Sequence, residues 1–269
     1  MRFLVAALCA SALTAQTPNA LTTEEKQAGW RLLFDGKTLN GWDDPSSKTP
    51  PGDSWSVEDG CIKARSRARY REDLLSRETF SDFELTFEWK ISPKGNSGVK
   101  YRIQDVAVIA SEKSARPARF EALVDEALRN QVKDRKVMGP DGQAYVVAFE
   151  YQVIDNLGHL DALRGSKYAA GALYDMVPVT RQTARPVGEF NRGRIVLRGN
   201  HVEHWLNGEK VVDVMLDSDV IRQGLAKRWG EQSPVYRLLT AQPRKNCPVG
   251  LQNHGDEAWF RNIKIRPLR

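Results

Sequence analysis

Two closely spaced pairs of glycine and asparagine constrain the fold of this chain more than any other feature. Gly199-Asn200 and Asn207-Gly208 separate three short segments, 194–198, 201–206 and 210–212, that are rich in valine, leucine and isoleucine. Dipeptides of this kind between apolar runs form the tight turns of antiparallel hairpins. The pattern therefore predicts a three-stranded meander.

A second feature, the strict alternation over 83–91, extends this reading to the whole chain. It places five apolar side chains on one side of a half-buried antiparallel strand, namely Phe83, Leu85, Phe87, Trp89 and Ile91. Asp59-Gly60 marks another hairpin between 55–58 and 61–64. Strands this short and this closely spaced predict an all-β fold, a β-sandwich or jelly roll of two antiparallel sheets.

Two stretches break the strand pattern and predict helices. Within 105–143, apolar residues recur at helical spacing over 118–136, and 218–230 carries a helix with Ser218 or Asp219 as its N-cap. We interpret 105–143 as an insertion between two adjacent strands. It could cover the concave face as a lid or pack on a sheet edge, and we favour edge packing.

The first residues have the pattern of an export signal. Arg2 precedes an apolar run over 3–15, and small residues around Ala10, Ala12 and Ala15 offer cleavage points. We predict a signal peptide and leader over 1–20 and a periplasmic or secreted location. No later stretch approaches ~20 consecutive apolar residues, so no membrane span is expected.

Charge and cysteine content restrict the partners. The formal net charge is +6, and its densest patch, 63–71, alternates as a strand or loop edge would. Without a basic helix, zinc-ligand spacing or an aromatic RNA-binding strand, no nucleic-acid partner is predicted. Cys61 and Cys247 remain after signal removal, and they could pair in an oxidising compartment, but their spacing does not decide this.

The segment 149–156 is the strongest candidate for a functional strand. Alternation puts Glu150, Gln152 and Ile154 on one face, and Tyr151 and Val153 on the other. A β-bulge near Ile154 would turn the next residue, an aspartate, to the first face. An acid, an amide and a second acid would then line a concave surface. The alternative is the solvated polar face of an ordinary strand.

Six blocks in the same order resemble the 3-keto-disaccharide hydrolase family, long catalogued as a domain of unknown function. They are 33–36 with 41–42, 97–102, 150–155, 171–174, 200–208, and 250–255 with 260–263. The resemblance runs from about 30 to 268 and implies a concanavalin A-like β-sandwich, so we predict a single catalytic domain over 28–269. It also implies carbohydrate substrates whose C3 hydroxyl a partner oxidoreductase has already oxidised to a ketone.

Glu150, Gln152 and Asp155 have the spacing of the Glu-x-Asp-x-x-Glu strand in retaining glucanases of that fold, which use two carboxylates about 5–5.5 Å apart. The amide and the shorter final acid weaken such a double displacement. They suit a ketone substrate, in which a base removes the acidic C2 proton, the C1 group leaves, and water adds to the enone. We predict Glu150 as the base, Asp155 as the acid or a positioning group, and His254 as a donor.

The remaining candidates would bind sugar hydroxyls, the ketone oxygen or a sugar ring: Asn96, Tyr101, Arg102, Gln152, Tyr174 and Gln252. We predict no cofactor, although Glu150, Asp155 and His254 could hold a hard divalent cation such as calcium with waters. Two other functions stay open on this sequence. One is a conventional retaining glycosidase, and the other is a non-catalytic carbohydrate-binding module.

Overall fold

Two β-sheets enclose the hydrophobic core, as the alternating segments predict. The computed structural model describes residues 17–45, 53–110, 119–133 and 142–268, and most of the predicted signal peptide lies outside these ranges. The strands, in chain order, are β1 Arg31–Leu32, β2 Trp42–Asp43, β3 Trp55–Glu58, β4 Cys61–Ala64, β5 Tyr70–Glu72, β6 Leu74–Ser76, β7 Phe83–Ile91, β8 Asn96–Ala110, β9 Gly142–Ile154, β10 Asn191–Arg198, β11 His201–Leu206, β12 Glu209–Met215, β13 Gly250–Leu251 and β14 Ala258–Pro267.

The larger sheet has eight strands in the order β12-β11-β10-β7-β14-β4-β3, with β1 also paired to β14. Its β10-β11-β12 edge is the predicted meander. The smaller sheet has six strands in the order β2-β6-β13-β8-β9-β5. The pairs are antiparallel except β5 with β9, which is parallel. The predicted β-sandwich of two largely antiparallel sheets is confirmed.

The core lies between the sheets and is built by the alternation that the sequence shows. The inward side chains of β7 are buried, and the inward side chains of β9 in the other sheet, Phe149, Tyr151 and Val153, are buried with them. Tyr151 packs edge-on against Phe87 across the sandwich, with ring centroids 5.3 Å apart. The opposite face of β9 therefore points away from the core and carries the polar residues of the candidate site.

Four helices accompany the sheets: α1 Thr23–Gln27, α2 Phe120–Arg129, α3 Asp219–Trp229 and α4 Pro234–Thr240. The α2 helix lies inside the predicted insertion, but β8 extends to Ala110 and β9 begins at Gly142. Both ends of the predicted insertion are therefore strand. Ser218 is the N-cap residue of α3, as predicted, although its side chain makes no capping hydrogen bond.

Two sequence expectations fail in detail. The bulge near Ile154 that would have turned Asp155 to the face of Glu150 does not form, because the pairing of β8 with β9 is regular from Phe149 to Ile154, and its register shift lies between Tyr101 and Asp105 on β8. We did not anticipate β5, whose parallel pairing with β9 joins segments far apart in the chain.

The two cysteines and the helices bear on the predictions about compartment. Cys61 and Cys247 are both buried and both free thiols. No helix among the described residues is long and apolar enough to cross a lipid bilayer.

Candidate active site

Glu150 lies on β9, on the face that points away from the core. Its register partner is Lys100 on β8, and Gln152 pairs with Gly98. The absence of a side chain at residue 98 leaves room for the carboxylate, because a Cβ there would lie 2.5 Å from Oε1 of Glu150. The glycine is thus part of what holds the acid in place.

Two glutamines hold the carboxylate of Glu150. Nε2 of Gln252 donates to Oε2 over 3.0 Å. In the amide orientation that satisfies its neighbours, Gln152 donates to Oε1 over 3.1 Å and to the carbonyl of Ser97 over 3.0 Å. Each carboxylate oxygen therefore has a neutral donor. Hydrogen bonds of this kind fix the direction of the carboxylate without adding a charge.

Burial raises the pKa of Glu150 to about 7, since removal from water disfavours the charged form. Lys100 opposes this shift, while Asp73 reinforces it. Nζ of Lys100 lies 2.7 Å from Oδ2 of Asp73, and both side chains are almost fully buried. Lys100 is therefore engaged by Asp73, and its charge neutralises Glu150 only in part. A general base functions best with a pKa near the operating pH.

The carboxylate forms part of the wall of a cavity of about 260 Å³ above the smaller sheet. Residues from strands, loops and two helices line it: Arg71, Asn96, Phe120, Glu121, Gln143, Tyr145, Glu150, Tyr174, Arg228, Gln252 and His254. Oδ1 of Asn96 and Oε1 of Gln252 are buried and have no hydrogen-bond partner among the described residues. Buried acceptors of this kind match the hydroxyl donors of a sugar.

A segment that runs beside β9 positions Tyr174. The backbone N–H groups of Gly171 and Tyr174 donate to the carbonyls of Gln152 and Glu150, over 2.8 and 3.1 Å. The hydroxyl of Tyr174 donates to Oδ2 of Asp161 over 3.2 Å. The small residues at 169–172 permit this close approach of the segment to the strand of Glu150.

Helices form the outer wall of the cavity. Phe120 and Glu121 come from α2, and Arg228 comes from the last turn of α3. Phe120 packs edge-on against Tyr145, with ring centroids 5.2 Å apart. The helix of the 105–143 segment therefore reaches the rim of the cavity. The edge packing that we favoured for this segment does not describe that contact.

A second cluster lies beside His254. Its ring centroid is 6.2 Å from that of His159, and the ligand atoms of His159, His254 and Asp256 all lie within 4.8 Å of one another. Nδ1 of His159 accepts a hydrogen bond from the backbone N–H of Asp161 over 3.0 Å, so in the neutral ring Nε2 carries the proton. That tautomer offers a donor to its surroundings, whereas a metal ligand needs a free nitrogen lone pair.

The structure brings five of the predicted site residues together around one cavity: Asn96, Glu150, Tyr174, Gln252 and His254. Gln152 is buried beneath the carboxylate that it supports. Burial lowers the pKa of His254, so its imidazole favours the neutral form.

Asp155 lies outside the lining of this cavity. Its Oδ2 accepts from the backbone N–H of Lys94 over 2.8 Å, and its Oδ1 accepts from those of Leu157 and Gly158, each over 3.0 Å. Burial alone would raise its pKa, but these donors lower it. The carboxylate therefore stabilises the turn after β9 and stays ionised.

Tyr101 and Arg102 also lie away from the cavity. Tyr101 is fully buried, and its hydroxyl is 2.9 Å from Nε2 of His204 in the core. Arg102, at the register shift of β8, donates to the carbonyls of Lys245 and Gly199. Both side chains are thus engaged by the fold.

The sequence analysis missed several residues around Glu150: Arg71, Asp73, Lys100, Glu121, Gln143, Tyr145 and Arg228. A signal existed for Lys100, which alternation places on the same face of its strand as Gly98. None existed for Arg228, because only the packing of α3 brings it to β9. Strict alternation would also have put Tyr145 and Glu150 on different faces of β9. They line the same cavity, and the register shift between β8 and β9 lies between these two residues.

A carboxylate set among amides, an imidazole and tyrosines on the face of a β-sandwich forms a candidate active site for an enzyme that acts on glycosidic bonds. A family model described as the 3-keto-alpha-glucoside-1,2-lyase-like domain matches residues 29–266, and the chain belongs to this family. The resemblance predicted from the sequence motifs is confirmed.

Two relatives illustrate this similarity. A 3-keto-disaccharide hydrolase from Bacteroides thetaiotaomicron is 31% identical over 286 aligned residues, which cover 98% of this chain and 87% of that protein. A crystal structure from Parabacteroides distasonis, described provisionally as a glycosyl hydrolase, has a TM-score of 0.67 at 27% identity. It covers 94% of this chain and 100% of its own.

A second crystal structure from Parabacteroides distasonis supports the fold. It has a TM-score of 0.57 at 23% identity and covers 89% of this chain and 99% of its own. At this level of identity the likeness concerns the sandwich alone.

Proposed function

We propose that this protein is an exported enzyme that cleaves 3-keto-glycosides, including 3-keto-disaccharides, by elimination and hydration. The observation that carries the proposal is the carboxylate of Glu150, which is held by two glutamines in a polar cavity and has a pKa of about 7. A base of that strength is suited to a carbon acid that an adjacent ketone has activated. The name of the relative from Bacteroides thetaiotaomicron supports the same substrate class.

In the first step, a carboxylate oxygen of Glu150 removes the proton from C2 of the sugar. The electron pair of the C2–H bond forms a C2–C3 double bond, and the ketone oxygen takes the negative charge. In the second step, that charge returns, the C1–C2 double bond forms, and the bond from C1 to the glycosidic oxygen breaks. The departing oxygen takes a proton from the cavity, where Tyr174 and His254 carry exchangeable protons.

Hydration completes the net hydrolysis. Water adds to C1 of the enone and gives up a proton, and C2 regains a proton from Glu150 after this carboxyl group has exchanged its proton with solvent. A neutral His254 is suited to accept the proton of the water, since burial lowers its pKa. The unpartnered acceptors of Asn96 and Gln252 would receive hydrogen bonds from sugar hydroxyls.

The double-displacement alternative has less support in this cavity. It needs two carboxylates at a spacing of about 5–5.5 Å across the glycosidic bond. The middle position of the motif is Gln152, and the carboxylate of Asp155 is occupied by backbone donors. The elimination pathway needs one base and therefore agrees better with a single poised carboxylate.

We further propose a single catalytic domain over 28–269, with export directed by a signal within 1–20, and a sugar 3-oxidoreductase as the partner that supplies the ketone. The elimination requires a C3 carbonyl, so an enzyme of that class must act first. A reaction with no metal cofactor is also part of the proposal, because the backbone N–H of Asp161 occupies Nδ1 of His159 and the neutral ring then has no free nitrogen lone pair.

Purified protein should be offered a glycoside and its 3-oxidised counterpart, with release of the sugar followed by chromatography. We expect consumption of the oxidised compound alone. Consumption of the plain glycoside would point to a conventional glycosidase, and binding of sugar without consumption of either compound would point to a carbohydrate-binding module. Either result would overturn the proposal.

A further inference from the structure

Arg228 is a half-buried cation for which the described residues provide no hydrogen-bond acceptor. It extends from the last turn of α3 into the wall of the cavity, and its side chain is 17% exposed. The nearest carboxylate oxygen, Oε1 of Glu121, is 3.7 Å from its Nε, beyond hydrogen-bond distance. The described residues offer its guanidinium no other acceptor. A guanidinium has five N–H donors, and at Arg228 these donors remain available to a group bound in the cavity.

Arg102 gives a direct comparison within the same chain. It is a buried arginine, and its guanidinium donates to two backbone carbonyls, including that of Lys245 at 2.6 Å. Arg102 is therefore satisfied by the fold, whereas Arg228 is not. The donors of Arg228 are instead available to a ligand oxygen in the cavity that also contains Glu150.

Aromatic rings hold the guanidinium of Arg228 in place. Its Cζ lies 5.0 Å from the ring centroid of Tyr174 and 5.1 Å from that of Trp229. Stacking of this kind positions an arginine while leaving its N–H groups free to bind. Burial alone would lower the pKa of Arg228, but the surrounding Tyr145, Tyr174, Asp175 and Glu150 raise it, so the group stays charged.

We propose that Arg228 donates hydrogen bonds to the C3 carbonyl oxygen of the substrate and stabilises the enolate that forms when Glu150 removes the C2 proton. This inference rests on the proposed function. The proton moves from C2 to Glu150, and the electron pair ends on the C3 oxygen. Arg228 transfers no proton and contributes only charge and donors, which act where the negative charge develops.

The role predicts a preference for ketones that a structural role does not. Arg228 meets a carbonyl oxygen whose charge increases in the transition state, so its removal should lower kcat more than it weakens the binding of a plain sugar. Loss of one preorganised donor commonly costs about 10²–10³ in kcat. A residue needed only for packing would weaken both ligands and the fold together.

Arg222 offers a matched control. It lies on the same helix, its side chain is 48% exposed, and it pairs with the exposed Asp219 at 3.4 Å. The variants R228A, R228K and R222A should be compared with wild type in turnover of a 3-keto-glycoside. Their dissociation constants for free 3-keto-glucose and for glucose should be measured by calorimetry.

We expect R228A to lose about 10²-fold or more in kcat/KM and to lose its preference for the keto sugar, with R222A within about twofold of wild type. Guanidinium ion at millimolar concentration should restore part of the activity of R228A. R228K, which keeps the charge and the helix, provides the test if R228A fails to fold. It should fold and retain less than a tenth of the wild-type kcat.

Activity of R228A and R228K within threefold of wild type would overturn the assignment, as would equal losses for the keto and plain sugars without rescue by guanidinium. These outcomes differ from failure of the proposed function. In that case the wild-type protein itself would not consume the 3-keto-glycoside.

Discussion

The energetic effect of keeping Glu150 out of water can be measured separately from its chemistry. Its pKa rises from 4.5 to about 7 on folding. An acid whose pKa is higher in the folded state stabilises the fold while it is protonated. This contribution is lost as the pH rises from the unfolded-state pKa through the folded-state pKa. Ionisation of Glu150 should therefore cost the folded protein up to about 3 kcal/mol between about pH 4.5 and pH 7.

The variant E150Q has no charge to bury. Relative to wild type, its free energy of unfolding should increase by up to about 3 kcal/mol between pH 5 and pH 8, because only the wild-type side chain ionises in that range. Urea denaturation at the two pH values measures this, and the other titrating groups cancel in the difference. E209Q, which changes an exposed glutamate, should show no such change. A difference independent of pH would contradict the burial of Glu150.

Asp73 controls how much of the Lys100 charge reaches Glu150. In D73N, Lys100 would lose the carboxylate at 2.7 Å and its charge would act on Glu150 alone. The pKa of Glu150 should then fall, and the acid limb of the profile of kcat/KM against pH should move from near pH 7 to lower pH.

E25Q provides the control for D73N, since it breaks the Lys264–Glu25 pair, which the cavity does not include. E25Q should leave the acid limb in place. D73N should also lower stability, because an ion pair with both partners buried is broken. An acid limb that stays near pH 7 in an active D73N protein would show that Asp73 does not tune the base.

Removal of divalent cations should leave the activity unchanged. The backbone N–H of Asp161 occupies Nδ1 of His159, so the neutral ring of His159 carries its proton on Nε2 and has no free lone pair for a cation. The protein should be dialysed against EDTA, assayed, and assayed again after addition of calcium, manganese or zinc. Loss of activity that one of these ions restores would contradict the metal-free reaction.

At the scale of the elements, the periodicity of the sequence predicted the strands that pair with neighbours close by in the chain. Alternation identifies β7 and the meander of β10, β11 and β12, because adjacent strands and tight turns specify one another within a short stretch of chain. It does not identify β5, which pairs in parallel with β9 although three other strands separate the two in the sequence. Such strands exist because the sheet around them supplies their partners.

The pairing of β8 with β9 places Gly98 beside the carboxylate of Glu150, where a larger residue would contact it. Gly98 is not at a positive φ, so alanine is compatible with the backbone there, and the added methyl group would contact Cγ and the carboxylate of Glu150. G98A should therefore fold but displace the carboxylate, with a loss of about tenfold or more in kcat and little change in melting temperature.

The second variant for this pair shortens the acid. In the double variant G98A/E150D the smaller side chain relieves the contact, and it should lose less activity relative to E150D than G98A loses relative to wild type. Turnover and thermal melts of all four proteins make this a double-mutant cycle. Full activity of G98A alone would contradict the account of how β8 holds the acid.

At the scale of the molecule, the cavity is a product of assembly. Its lining runs from Arg71 to His254 and includes two helices that no short-range pattern connects to β9. The motifs and the family resemblance located Glu150 and four other lining residues, because most of these belong to strands or follow them closely and Tyr174 follows Leu173, which bridges to β9. They could not locate Arg228 or Glu121, whose positions depend on how α2 and α3 pack against the sheet.

The same dependence explains why Tyr101, Arg102 and Asp155 were attractive candidates. Each lies within a motif that also contributes to the cavity, and sequence proximity cannot show which side chain points into it. In the fold, the core engages Tyr101, backbone carbonyls engage Arg102, and a turn engages Asp155. A role for these three residues in catalysis or substrate binding stays a prediction that the cavity geometry does not favour.

The central claim is that Glu150 removes the proton from C2, and the isotope content of the product tests it most directly. A 3-keto-glycoside should be cleaved in deuterated water, and the released keto sugar analysed by NMR at low conversion. The product alone, incubated with enzyme, corrects for later exchange. We predict deuterium at C2 of the newly released sugar. Retention of the original hydrogen at C2 would contradict proton abstraction and, with it, the role assigned to Glu150.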